Sequence, residues 1–147
     1  VLQIYGYDIQ NKAIENASQK LKNNLSKDQL ENVFLINKSH VDFSDVKSKV
    51  DLIIYNLGYL PTTDKSITTM TKTTLISIQA ALNKLSSNGA ISITCYPGHL
   101  EGEKEERAIL EFLKTLNREN FEIRYHKWQN RDKSPSLIWI KKKSFLF

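Results

Sequence analysis

Short apolar runs alternate with helically spaced apolar stripes along this chain. Val1 to Tyr7 reads as a strand ending at Asp8. Asn11 is placed to cap a helix whose stripe Ile14, Ala17, Leu21 and Leu25 falls on one face. Val33 to Ile36 is a second short strand. Val50 to Tyr55 is a third, continuously apolar, as expected of a parallel strand covered on both sides. A polar, threonine-rich loop runs from Thr62 to Thr74. The next helix carries Leu75, Ile78, Leu82 and Leu85 on one face and ends at Asn88-Gly89. Ala90 to Cys95 is a fourth strand, broken by Tyr96-Pro97-Gly98-His99. Glu101 to Glu106 put acid in the first turn of a helix that buries Ile109, Phe112, Leu113 and Leu116. Phe121, Ile123 and Tyr125 alternate with polar residues, and Leu137 to Ile140 form a last strand beyond a loop from Gln129 to Pro135. With no helix between them, these two strands should pair as an antiparallel hairpin.

Alternating strands and helices predict an α/β domain with a mostly parallel sheet and helices on both faces. A terminal antiparallel hairpin on such a sheet resembles the class I methyltransferase variant of the Rossmann fold, where one strand inserts antiparallel near an edge. The count is one strand short at the beginning. No repeat, low-complexity segment or linker marks a second domain, so residues 1–147 are expected to form one.

Composition narrows the partners more than the fold. An apolar share of 40% and a charged share of 25% are ordinary for a globular chain of 147 residues. No apolar run approaches the roughly 20 residues of a membrane span, so no membrane partner is expected. The lone Cys95 excludes an internal disulfide and suits a reducing, cytoplasmic setting. A net charge of +5 favours a polyanion such as nucleic acid, although a lysine-rich surface alone would give the same number. His40, His99 and His126 lie far apart and Cys95 stands alone, so no metal site is expected.

Ligands of open parallel sheets bind beyond the carboxyl ends of the strands. Four segments meet there: Asp8-Ile9-Gln10, Lys38-Ser39-His40, Asn56 to Tyr59, and Tyr96 to His99. Asp8 ends a strand just before a helix, where an acid accepts both ribose hydroxyls of a nucleotide-like cofactor; the alternative is an ordinary capping acid. Gln10 stands beside it. Ser39 and His40 sit where polar groups read an adenine edge. Asn56-Leu57-Gly58-Tyr59 follows a buried strand, in the layout of the Asn/Asp-Pro-Pro-Tyr/Phe tetrapeptide that positions a substrate nitrogen in one group of methyltransferases. The Asn56 amide and the Leu57 carbonyl can accept hydrogen bonds from an amine, and Tyr59 can stack on a base. His99 or Asp64 is placed to take the amine's proton. A turn asparagine and a core tyrosine are the plain alternatives. Tyr96 faces the same rim, and Trp128 to Lys133, with Gln129, Asn130 and Arg131, suits phosphate and base contacts or a solvated hairpin tip.

These residues resemble the small bacterial rRNA methylase family, which includes the tRNA 5-aminomethyl-2-thiouridine methyltransferase of Gram-positive bacteria. The resemblance is carried by Tyr5-Gly6-Tyr7-Asp8-Ile9-Gln10, Ser39-His40, Asn56 to Pro61 with Asp64-Lys65, and Thr73-Thr74. It continues through Tyr96, Gly98-His99, Gly102, Glu105-Glu106 and Gln129-Asn130. It implies methyl transfer from S-adenosylmethionine to the aminomethyl nitrogen of a wobble uridine, with the tRNA anticodon region as partner. It adds Ile9 and Gly58 to the cofactor residues and Lys65 to the substrate residues. Thr62-Thr63, Pro97 and Ser134-Pro135 depart from the family pattern. The five glycines form no glycine-rich cofactor turn, so a strand-loop-helix unit of roughly 30 residues is expected to precede Val1. Three other readings stay open. One is methylation of an amine on an rRNA or DNA base or on a small molecule. Another is a non-catalytic RNA-binding protein with this fold, and a weaker one is a dinucleotide oxidoreductase. A homodimer through an exposed sheet edge is a further expectation.

Overall fold

The computed structural model describes residues 2–57 and 71–144, which fall into two compact units divided after Asp42. The first contains β1 (Ile4–Asp8), α1 (Asn11–Asn24), the single turn α2 (Lys27–Leu30) and β2 (Val33–Asn37). β1 and β2 pair in parallel, with Asp8 opposite Asn37 at their carboxyl ends. The stripe Ile14, Ala17, Leu21 and Leu25 is half-buried, as its spacing predicts. Asn11 does not cap the helix. Gln10 is the last extended residue, and its carbonyl accepts from Ala13 and Ile14. The Asp8 carboxylate takes the Gln10 N–H at 2.8 Å, and the Asn11 amide reaches along the helix to Glu15 instead. A Ser26–Gln29 capping box starts α2; its Ser-x-x-Gln spacing is the signature of that motif.

The second unit holds β3 (Val50–Asn56), α3 (Thr71–Lys84), β4 (Leu85–Cys95), α4 (Leu100–Lys114), β5 (Phe121–His126) and β6 (Ser136–Lys142). Its sheet order is β3-β4-β6-β5. β3 and β4 run parallel, and β6 lies antiparallel between β4 and β5, the inserted strand that the hairpin pattern implies. Tyr55, Ile93 and Ile138 stand in one row across the sheet, all buried. They share a core with Ile78, Ala81 and Leu82 of α3 and Ile109 and Leu113 of α4. Both helices serve that one core, while Leu52 and Ile54 on the other face are 50% and 68% exposed.

Two boundaries differ from the sequence pattern. Thr71 to Thr74 are helical, not loop; the remainder of that predicted loop lies outside the described residues. α3 stops at Lys84, because Leu85 has already joined the sheet opposite Val50. The register then slips, so that Leu85 to Ala90 on β4 faces Val50 to Leu52 on β3. Asn88 turns back at φ 65, and Ser86 donates to Asp51 at 2.6 Å. A side chain on Gly89 would press on the Ser86 and Val50 carbonyls at 3.1 Å, which explains the glycine. Among the described residues no helix is long and apolar enough to cross a membrane, and no group of three or more acidic, histidine or cysteine side chains could hold a metal ion.

One glycine controls how β4 hands over to α4. A Cβ on Gly102 would overlap the Tyr96 carbonyl oxygen and sit 3.1 Å from His99 Cε1. The turn can therefore fold onto the helix only if residue 102 has no side chain. Gly102→Ala is expected to lower unfolding free energy by about 1–3 kcal/mol despite alanine's better helix propensity; urea unfolding checks it, and unchanged stability would contradict this close approach.

Candidate active site

In the first unit the rim is built from the ends of β1 and β2. Asp8 is half-buried, and its main-chain carbonyl is fixed by the Asn37 side-chain amide at 2.9 Å. One carboxylate oxygen holds the Gln10 N–H. A carboxylate offers about four acceptor positions, so Asp8 retains capacity for the two vicinal hydroxyls of a ribose. Ile9 next to it is 58% exposed and offers an apolar surface to an adenine. Ser39 and His40, after β2, are half-buried. Burial pulls the His40 imidazole below its usual 6.5, while the Asp8 charge pushes it back up. The structure thus brings Asp8, Gln10 and His40 to one rim, with His40 neutral at pH 7. These groups fit the ribose and base of a nucleoside.

In the second unit the site grows from two neighbouring strand ends. Strand alternation buries Tyr55 and Leu57 and turns Asn56, between them, outward. Asn56 lies opposite Thr94, and the Leu57 N–H donates to the Thr94 carbonyl at 3.2 Å, continuing the ladder one step. The Tyr96 hydroxyl, one residue past the end of β4, donates to Asn56 Oδ1 at 2.8 Å. That bond fixes the carboxamide and leaves Oδ1 a second lone pair. Tyr96 is therefore an orienting partner of Asn56, a role that needs strand register and could not be read from spacing.

His99 is the N-cap of α4: its Nδ1 accepts from the Gly102 N–H at 3.1 Å. With Nδ1 accepting, the neutral imidazole carries its proton on Nε2, so His99 could take a substrate proton only at Nδ1, by giving up this cap. Among the predicted residues, Gly58, Tyr59, Asp64 and Lys65 lie outside the described residues. Gln129, Asn130 and Arg131 are exposed in the connection from His126 to Ser136. That connection reaches the same end of the sheet, since Gly98 lies 3.7 Å from the Lys133 carbonyl, measured from where its Cβ would stand.

A buried polar layer under this end was not read from the sequence, where Thr74, Glu105 and Glu106 entered through the family resemblance and the acids also as dipole partners, without their pairing. Thr74 donates to Glu105 at 2.6 Å, and both are buried, so α3 and α4 are locked by a charge-assisted bond. Ser136 donates to Glu106. Ser136 also hydrogen-bonds the Cys95 thiol, which burial and the Glu106 and Glu105 charges push up to about 12. Cys95 therefore stays a thiol at neutral pH and is no nucleophile. Tyr55, hydrogen-bonded to Ser77 at 2.8 Å, is likewise raised to about 12 by burial. The spacing of Glu105 and Glu106 from Thr74 and Ser136 gives no sequence signal; only the packing of helix on strand brings them together.

Residues 4–142 match the family model described as "Putative rRNA methylase". The tRNA (mnm(5)s(2)U34)-methyltransferase of Arabidopsis thaliana chloroplasts is 32% identical over 143 residues, covering 95% of this chain and 52% of that protein. The chain thus spans about half the length of this curated relative. The crystal structure of a putative rRNA-methylase from Clostridium thermocellum superposes with a TM-score of 0.88 at 32% identity, over 95% of this chain and 75% of the other. A putative methyltransferase from Streptococcus mutans, solved in complex with SAH, gives 0.83 at 33% identity over 95% and 76%.

The Asp8–His40 pairing has a direct readout. In the folded protein the His40 imidazole should titrate below 6.5 by NMR, and lower still in Asp8→Asn. Because the folded value is depressed, its contribution to stability is complete above pH 6.5 and is lost as pH falls through the folded value. A midpoint unmoved by Asp8→Asn would separate the two groups.

Proposed function

The chain belongs to the rRNA methylase family and carries the fold of S-adenosylmethionine-dependent methyltransferases; from that premise we propose that it methylates the aminomethyl nitrogen of a wobble 5-aminomethyl-(2-thio)uridine in tRNA. The observation that carries this reading is the outward Asn56 carboxamide, held by the Tyr96 hydroxyl at 2.8 Å at the carboxyl ends of two parallel strands. S-adenosylmethionine supplies a methyl group on a sulfonium, which needs no further activation. The protein's task is to present a neutral amine lone pair in line with that carbon, so position and electrostatics do the work.

Asn56 Oδ1 accepts one amine N–H with its remaining lone pair, and the Leu57 carbonyl accepts the other. The two acceptors aim the lone pair away from themselves. Formation of the N–C bond would be coupled to loss of the S–C bond, and the surplus amine proton would leave to water, to Asp64, or to His99 Nδ1 if that nitrogen gave up its cap on Gly102. Tyr59 would stack on the uracil, Asp64 and Lys65 would contact the substrate, and Gly58 would serve the donor. Asp8, Ile9, Gln10, Ser39 and His40 hold the adenosine part of the donor. Gln129, Asn130 and Arg131 meet the anticodon backbone, in line with the net charge of +5. The name of the Arabidopsis thaliana relative supports the nucleoside chosen.

Radiolabelled methyl transfer tests the substrate: full-length protein should label tRNA bearing aminomethyluridine and leave rRNA and DNA unlabelled. Labelling of rRNA or DNA in preference would replace the substrate, and no labelling despite donor binding would favour an RNA-binding role. Asn56→Ala should fold normally and lose on the order of 100-fold in kcat, the scale of a misplaced reacting group. Tyr96→Phe should lose about tenfold, the equivalent of one hydrogen bond. Full turnover in Asn56→Ala would refute the assignment.

A further inference from the structure

We infer that the β5–β6 connection and the strands beneath it form a stacking subsite for a nucleobase flanking the target nucleoside. The inference deepens the RNA reading above and rests on it. It starts from a row that the sheet register creates: Asn56, Thr94, Leu137 and His126 stand side by side across β3, β4, β6 and β5, facing the same way. Thr94 is one strand spacing, about 4.8 Å, from Asn56. Immediately past Thr94 a cavity of about 380 Å³ opens. Leu137 and Pro135 give it apolar surface, His126 and Lys127 give it polar walls, and the Trp128 indole lines it.

Two further observations point to a base as the occupant. Trp128 is 57% exposed, unusual for an indole that serves only packing. The Arg131 guanidinium lies 5.0 Å from the centre of the ring. A cation over one face of an indole leaves the other for stacking and supplies a positive charge for the adjoining phosphate. Between 127 and 133 the loop carries Lys127, Arg131 and Lys133 against a single acid, Asp132. Lys133 itself stands at φ 56, in the left-handed region that lysine rarely adopts. Backbone strain of this kind gathers where a loop is held in a working shape. A base seated here lies on the same rim as Asn56, with Thr94 between the two positions.

The test uses full-length protein, no methyl donor, and short single-stranded oligoribonucleotides centred on an unmodified uridine, read by fluorescence anisotropy. Trp128→Ala should weaken binding about tenfold, and Trp128→Phe should keep most of it. Replacing the base on either side of the uridine by an abasic residue should weaken wild type about tenfold at one of the two positions. That penalty should vanish in Trp128→Ala, the coupling expected of two groups in contact. Wild-type affinity in Trp128→Ala, or abasic penalties that remain fully additive at both positions, would overturn the subsite. The oligonucleotide has no aminomethyl group and no donor is present, so the outcome is independent of methyl transfer. Coupling without methylation would leave the subsite standing and sink the reaction, and methylation without coupling the reverse.

Discussion

The second unit is organised around the hydrogen bond from the Tyr96 hydroxyl to Asn56 Oδ1, 2.8 Å across two adjacent parallel strand ends. A carboxamide on an exposed strand end has two free torsions and no reason to hold one orientation. The phenol removes that freedom, but only if the chain after Cys95 turns so that Tyr96 points back over β3. That turn depends on Gly102, whose missing side chain admits the Tyr96 carbonyl, and on His99, whose Nδ1 caps the helix that receives it. The three residues act on one small geometry: helix start, strand end and amide are set together. This is why the same short segment supplies both a structural cap and candidate chemistry.

Under that surface lies a polar layer with a different purpose. Buried Glu105 is satisfied by Thr74, and Glu106 by Ser136, so α4 is tied to α3 and to β6 just below the turn. A buried carboxylate without such donors would cost several kcal/mol. Once paired, it fixes how the helix sits and therefore where its first residues, His99 to Gly102, lie. The Cys95 thiol is shifted upward by burial and by both charges, and the Tyr125 phenol by burial and by Glu106. Cys95 is a neutral member of this positioning layer and not a reactive group, while Tyr125 lies exposed at its edge. The chemistry of the rim and the electrostatics behind it are thus separable. The rim is exposed and adjustable, and the layer beneath is closed and charged.

Much of the architecture was legible in the amino-acid order, for a physical reason. Strand and helix periodicities are local, so β1, β2, β3, α1 and α4 follow from runs of a few residues, and the antiparallel pairing of β5 with β6 follows from the missing helix between them. Boundaries failed where a nonlocal interaction competed with a local signal. Asn11 is the exception, since the helix start was shifted to Gln10 beside a local bond from the Gln10 N–H to Asp8. Leu85, on the helical stripe, went to the sheet because Val50 offered a partner. Among the candidate residues, Asp8 and His40 in the first unit and Asn56 and Tyr96 in the second do follow strands, as the sequence pattern implied. The Tyr96–Asn56 bond, the Thr74–Glu105 pair and the row from Asn56 to His126 could not be read from that pattern. Each depends on which residue faces which across elements, and that is decided by register and packing.

The connection from β5 to β6 joins these scales. A hairpin needs only two to five residues to reverse, yet nine separate His126 from Ser136 here. The excess is not spent on apolar packing, since Trp128 to Lys133 are all exposed. It brings the Lys133 carbonyl close to Gly98, with Lys133 in a backbone conformation unfavourable by about 1–2 kcal/mol. A loop that exists only to close a sheet would shed both the length and the strain. Holding them is consistent with a loop shaped by what it meets, and it meets the Pro97–His99 turn at Gly98 and the end of β4 at Thr94.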